Sequence, residues 1–240
     1  MKPVCRKLST LYIVAFSLFF CRPALAADKI RVLIVGGGTS HNFDRWYKQA
    51  DAATLERDGL CSVVYTRNID SISQYLKQAD VLYLVTNQPI NDESRKAIFD
   101  FADAGKGLVL GHPALWYNWL GWPEFNEILA GGGANAHDSY GSFDEDIVNT
   151  KHPVTKGIEP HFTLKDERYH YAVDPSGPGI EVLAANHVAG NVIVYPSVFV
   201  VKNKKTRIVG IALGHDEGSH NIAPYQTILR NAVIWVAHKS

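Results

Sequence analysis

Gly107-Leu-Val-Leu-Gly-His112-Pro-Ala114 is the stretch on which the fold of this chain turns. Three apolar residues between glycines predict a short strand buried on both faces, the pattern of an interior strand in a parallel sheet. His112 follows directly. Pro113 has no amide hydrogen to give to a ladder, so the strand ends there. A polar ring just past the carboxyl end of such a strand stands where open α/β sheets bind their ligands. The position is also that of a nucleophile elbow, but His112 has neither a hydroxyl nor a thiol beside it, so acyl-enzyme chemistry is not expected.

Upstream, strand and helix patterns alternate. Ile30 to Val35 reads as the first strand and runs into Gly36-Gly37-Gly38-Thr39-Ser40-His41. A dinucleotide loop would carry glycine where His41 stands, so the glycines read as a tight turn and no nucleotide cofactor is expected. Phe43 to Arg57 is helical, with Gly59 as its stop, and Ser62 to Tyr65 is the second strand. A short helix over Ser71 to Gln78 and a strand over Val81 to Val85 follow. Asn91 caps the next helix, with Asp92 and Glu93 placed to complement its dipole. This alternation predicts parallel strands joined by right-handed crossovers.

Downstream, Trp116, Trp119 and Trp122 crowd one short segment, either as a core plug or as a wall for sugar rings. A short helix over Pro123 to Ala130 ends at three glycines, and His137-Asp138 follow in a polar loop. Asp146 to Asn149 is compatible with a strand, and His152 reads as a structural, exposed residue. Asp166-Glu167-Arg168-Tyr169 is neither apolar nor periodic and reads as a loop. Ile180 to Ala184, Asn191 to Val201 and Arg207 to Leu213 are β-like, and Asn221 to Ala237 is a closing helix. The last strand runs into Gly214-His215-Asp216, repeating the Gly-His step at His112. If both strands are parallel members of one sheet, the two imidazoles stand over the same edge. With Asp166 and Glu167 they form a ligand set for a divalent metal such as zinc, or an acid–base set without one. His41, His137 and Asp138 are further candidates in loops.

Composition bounds the partners. Lys+Arg and Asp+Glu are equal at 24 each, which leaves no electrostatic footprint for nucleic acid. Lys2, Arg6 and Lys7, the apolar run Leu11 to Phe20 and Ala24-Leu25-Ala26 describe a signal peptide over 1–26, with Ala27 as the mature start. The run is short of the roughly 20 residues that span a bilayer. The expected location is periplasmic or secreted, with no membrane contact once the leader is removed. Large Phe19-Phe20 before Cys21 argue against lipidation. Cys5 and Cys21 leave with the leader, so Cys61 alone remains, as a small buried hydrophobe. Residues 27–240 suit a single α/β domain.

In these motifs the chain resembles the trehalose-utilisation (ThuA-like) family. That family is a branch of the class I glutamine-amidotransferase-like, flavodoxin-type fold without the nucleophilic cysteine. The resemblance runs from about Ile30 to Ala237. It rests on Gly36-Gly37-Gly38, Gly107 to Ala114, Gly131-Gly132 with His137, and His152-Pro-Val-Thr-Lys-Gly157. Asp166 to Tyr169, Leu213 to Asp216, and Asn231 to Ala237 with Trp235 complete it. One departure is Tyr195-Pro-Ser-Val-Phe199, where the family usually carries a Trp after its proline.

The resemblance implies a flavodoxin-like, doubly wound, mainly parallel sheet, and sugar utilisation that includes trehalose and 3-keto-glycosides. It implies a divalent metal in some members and, by motif, points to His112, His137, Glu167 and His215. The expected activity is a hydrolase or lyase acting on a keto-sugar or glycoside by proton abstraction next to a carbonyl. His112, His215 and Glu167 are the expected catalytic groups, and the same three the expected metal ligands. Asp166 or Asp216 would orient an imidazole. His41, Trp116, Trp119, His137 and Tyr169 would contact the substrate, a small-molecule carbohydrate. Association into a homo-oligomer stays open. The rival is a non-catalytic carbohydrate-binding protein that uses Trp116, Trp119 and Trp122.

Overall fold

Alternate side chains of the first strand enter two different cores: Ile30, Val32 and Ile34 one, Leu33 and Val35 the other. A strand apolar on both faces must be covered on both, which is the requirement of a doubly wound sheet. The computed structural model describes residues 28–116, 121–188, 190 and 193–239. The expected leader with its cleavage site, and Trp119, lie outside them.

The strands are β1 (Ile30–Val35), β2 (Cys61–Thr66), β3 (Val81–Leu84), β4 (Gly107–Gly111), β5 (Gly132–His137), β6 (Gly141–Ile147), β7 (His161–Asp166), β8 (Tyr169–Val173), β9 (Ile180–His187), β10 (Tyr195–Val201) and β11 (Ile208–Ile211). Among the described residues, nine of them form one sheet in the order β2-β1-β3-β4-β11-β10-β9-β6-β7, and β5 pairs with β8 in a separate ribbon. The first five of the nine are mutually parallel, in the strand order of the flavodoxin-like fold. All of β4 is buried, and Pro113 ends it by opening a 3-10 turn over His112–Leu115. The helices are α1 (Ala52–Glu56), α2 (Ile72–Leu76), α3 (Asp92–Asp103), α4 (Glu217–His220) and α5 (Ala223–Val236). α5 and α1 supply one core, α2 and α3 the other. α1 continues a π-helical segment, Asp44–Asp51, that turns Trp46, Tyr47 and Asp51 inward. The Asn91 cap forms as expected, its side chain accepting from the Ser94 amide at 2.8 Å.

From β11 onward the sheet is antiparallel through β10, β9, β6 and β7. The link between β10 and β11 is far shorter than the dozen or more residues a parallel crossover requires, so this half is built from antiparallel returns. Two expected loops are strand ends here. Asp166 closes β7 and Tyr169 opens β8, with Glu167 and Arg168 as the connector, and His137 closes β5.

The antiparallel half curls. β7 lies four strand positions from β11, about 19 Å in a flat sheet, yet Asp166 at its end hydrogen-bonds the Gly214 amide beyond β11. Glu167 is carried in this way to the carboxyl edge of the parallel half. No helix among the described residues is long and apolar enough to cross a membrane.

Candidate active site

Three imidazoles reach one point from the carboxyl edge of the parallel strands. His41 lies in the loop after β1, His112 directly after β4, and His215 beyond β11, the neighbour of β4. The ring centroids are 5.8 Å apart for His112 and His215, 5.1 Å for His41 and His112, and 4.7 Å for His41 and His215. Glu167 faces them from the β7–β8 connector. Its Oε2 is 3.4 Å from His112 Nε2 and 3.1 Å from His215 Nδ1. One nitrogen from each ring and one Glu167 oxygen all lie within 4.8 Å of one another.

A hydrogen bond at the foot of this cluster fixes one of its protons. His112 is fully buried, and its Nδ1 is 2.7 Å from the Ala212 carbonyl, which only accepts. Nδ1 therefore carries a hydrogen, and Nε2, 3.4 Å from the Glu167 carboxylate, must either carry a second one or share a cation with it. His215 Nδ1 and His41 Nε2 are buried and have no hydrogen-bond partner among the described residues, His215 Nδ1 lacking bonding geometry to Glu167 despite the 3.1 Å approach. Lone pairs facing one another in a buried space repel unless protons or a cation stand between them. Three imidazole nitrogens and one carboxylate oxygen form a donor set suited to zinc or a similar divalent metal. The residues present fit such an ion, and the set includes His41, which the sequence assigned to substrate contact.

Electrostatics agree with convergence. Burial, reinforced by His112 and His215, pushes the His41 imidazole down to about 2. Burial acts upward on the Glu167 carboxyl, but His112 and His215 hold it well below its ordinary range. Glu167 in turn raises His215 against the effect of burial.

Supporting residues lock the geometry. The buried Asp166 carboxylate accepts from the backbone amides of Gly214 at 2.8 Å, His215 at 3.2 Å and Glu167 at 2.7 Å, and from the Ser219 hydroxyl. It thus holds backbone rather than orienting an imidazole. Asp216 hydrogen-bonds no imidazole among the described residues: it caps α4 through the Gly218 amide at 2.9 Å and accepts from Tyr140 at 2.5 Å. Gly214 has φ of +129°, a conformation that favours glycine, and its carbonyl accepts from Tyr47 at 2.6 Å and His220 at 3.1 Å. Behind it, His220 pairs with the buried Asp51 at 2.7 Å. Sequence reasoning missed this pair, since one His and one Asp 169 positions apart leave no local signal.

A cleft of about 200 Å³ opens over the cluster, lined by Ser40, His41, Asn87, Trp116, His137, Glu167, Tyr169 and His215 among others. Tyr169 lies against His112 with ring centroids 3.9 Å apart, and Trp116 meets Tyr169 and His137 edge-on at 5.2 and 5.6 Å. Trp122 is not part of this wall. It is buried against Phe99 and Phe125, so the proposed three-tryptophan surface does not form around it. His137 sits at the rim, its Nδ1 2.7 Å from the Asp138 carbonyl and 3.9 Å from Glu167. Asp138 is held by Arg168 at 2.6 Å and His170 at 2.8 Å. Cys61 stands in β2, its thiol pushed up to about 12 by burial. A larger hollow of about 670 Å³ at the opposite edge is lined by Arg31, Asp80 and Lys106, and these charges already pair with one another.

Comparison with known proteins places the fold and the family. The family model described as ThuA, trehalose utilisation, matches residues 31–236. No curated protein matches the sequence. A ThuA-like protein from Parabacteroides merdae ATCC 43184 superposes with a TM-score of 0.75 at 20% identity, over 88% of this chain and 90% of that one. One from Bacteroides uniformis ATCC 8492 gives 0.71 at 21% identity, over 90% and 95%. A β-galactosidase from Rahnella sp. R3 gives 0.56 at 18% identity over 84% of this chain, but only 31% of its own. At these identities the likeness is one of fold. The match of the family model over nearly the whole described chain is more specific, and by it this protein belongs to the ThuA, or trehalose-utilisation, family.

Proposed function

We propose that the protein is an exported enzyme that cleaves a keto-sugar or keto-glycoside by removing a proton next to the carbonyl. The observation that carries this reading is the His41, His112, Glu167, His215 cluster, with its lone pairs converging beneath an aromatic-walled cleft. Membership of a sugar-utilisation family supports the substrate class. These four side chains would hold a divalent cation, which when bound would supply positive charge for the negative charge that develops on a carbonyl oxygen.

The other roles fall to residues around the cleft. Trp116 and Tyr169 offer apolar ring faces to a sugar and keep water from the cluster. His137 is the base. Its Nδ1 hydrogen is committed to the Asp138 carbonyl, so Nε2 is the atom that takes the proton, and the Arg168 and His170 contacts to Asp138 keep the ring in place. His112, which the sequence nominated as base, is fully buried and covered by Tyr169, so it serves the cluster instead.

For a 3-keto-glycoside, Nε2 removes the proton at C2, the electron pair forms the enolate, and the bond from C1 to the aglycone oxygen breaks. The proton is returned to the departing oxygen, and water adding at C1 completes a net hydrolysis. The leader over 1–26 would deliver the enzyme outside the cytoplasm, to a carbohydrate substrate and without nucleic acid or membrane as partner.

Metal analysis of the purified mature protein together with turnover of 3-keto-trehalose tests the proposal. About one zinc or similar ion per chain, with release of glucose, is expected. Metal-free protein that leaves the keto-sugar intact with zinc supplied would overturn it.

A further inference from the structure

His41 joins the cluster only if its Nε2 is unprotonated, and the structure shows what selects that form. His41 Nδ1 is 2.6 Å from the Ser40 hydroxyl oxygen, and the Asn87 side-chain amide donates to the same oxygen at 2.7 Å. An amide N–H can only donate, so one lone pair of Ser40 Oγ is already taken. Two arrangements remain. Either the Ser40 hydroxyl donates to Nδ1, leaving the hydrogen on Nε2, or Nδ1 donates to Ser40 and Nε2 is bare.

The first places a hydrogen on a buried Nε2 that has no acceptor among the described residues. A buried donor left without an acceptor in bonding geometry is the costlier outcome. The second satisfies Nδ1, uses the remaining lone pair of Ser40, and frees the Ser40 hydrogen to point into the cleft, which Ser40 lines. The approach of Asn87 is built into the glycine loop. Gly38 has φ of +128°, and a Cβ there would lie 2.1 Å from Asn87 Oδ1, so only glycine admits the amide to this position.

We propose that Ser40, its oxygen fixed by Asn87, is a positioning residue that holds His41 in the Nδ1–H tautomer and so presents its Nε2 to the metal. The inference rests on the metal reading given above and extends it from the ligands to the residues that prepare one of them. Outer hydrogen bonds of this kind are generally worth about 10- to 100-fold in metal affinity.

The test reads the tautomer directly in metal-free protein, by ¹⁵N NMR of the His41 ring, and zinc affinity separately by calorimetry. Nδ1–H is expected in the wild type. Ser40→Ala should lose it and weaken zinc binding about 10- to 100-fold, while Ser40→Thr, which keeps the hydroxyl, should keep both. An Nε2–H tautomer in the wild type, or a tautomer unchanged in Ser40→Ala, would overturn the inference. Failure of the wild type to bind zinc would instead remove the metal reading, with the tautomer still deciding the role of Ser40.

Discussion

Asp166 binds the backbone amide of His215 at 3.2 Å, while its neighbour Glu167 faces the ring of that same histidine at 3.1 Å. One residue pair therefore sets both the position of His215 and the charge opposite it. Asp166→Ala leaves the Gly214 and His215 amides and the Ser219 hydroxyl without their acceptor in a buried space. A loss of about 3 kcal/mol or more is expected, measured by denaturant unfolding. Asp166→Asn, which keeps one acceptor oxygen, should lose less.

His137 and His112 should separate in their effects. His137→Ala is expected to lower kcat about a hundredfold or more while metal content and melting temperature hold, as for loss of an exposed base. His112→Ala should lower metal content as well as turnover, because it removes a buried ligand. Full activity in His137→Ala would return the base role to another group.

Trp116 is exposed to the cleft on one face and packed on Tyr169 and His137 on others. Trp116→Ala is expected to raise KM for a keto-sugar about tenfold, roughly 1.4 kcal/mol, with a smaller change in kcat. Trp122→Ala should instead act on stability, by about 3–5 kcal/mol, as a buried aromatic does.

Glu145 offers a pH test away from the cluster. It is fully buried, hydrogen-bonded by Ser197, and burial pushes its carboxyl up to about 8. Between its ordinary value near 4.5 and about 8 the folded state holds a proton that the unfolded state has released. Folding stability must therefore fall as pH rises through that window. Glu145→Gln should flatten the slope and be the more stable protein at pH 8, as read from melting temperatures at several pH values.

His220 gives a second window. Both of its nitrogens face acceptors, Asp51 and the Gly214 carbonyl; burial acts downward, but Asp51 holds the imidazole above its ordinary value near 6.5. Its contribution is complete below about 6.5 and is lost as pH rises through the raised folded value. In Asp51→Asn burial acts without that opposition, so the His220 resonance should titrate lower by NMR and this alkaline loss should disappear.

How much of this was legible follows from where each residue lies. The Gly-His step at the ends of β4 and β11 was readable because buried parallel strands are continuous apolar runs, and their adjacency brings His112 and His215 together. β7 was not readable. His-Phe-Thr-Leu-Lys-Asp sits at a sheet edge, with only Leu164 and Asp166 buried, so it lacks an apolar run. His41 was legible only as a further loop candidate and a substrate contact, because its place in the cluster depends on two glycines with positive φ, Gly37 and Gly38, whose turn no periodicity encodes. Asp166 was noticed, but its role was not, because a carboxylate that binds amides and one that binds a ring look the same in sequence.

The curl that returns β7 to the far edge also makes the cluster depend on contacts between distant parts of the chain. His112 and His215 stand side by side only when β11 pairs with β4, about 100 residues earlier, and Glu167 faces them only when β7 has folded back over that pair. Pairings between distant parts of a chain form slowly, since the entropy of closing the loop is lost before the contact repays it. The four side chains therefore meet late, and a partly folded chain holds no assembled cluster.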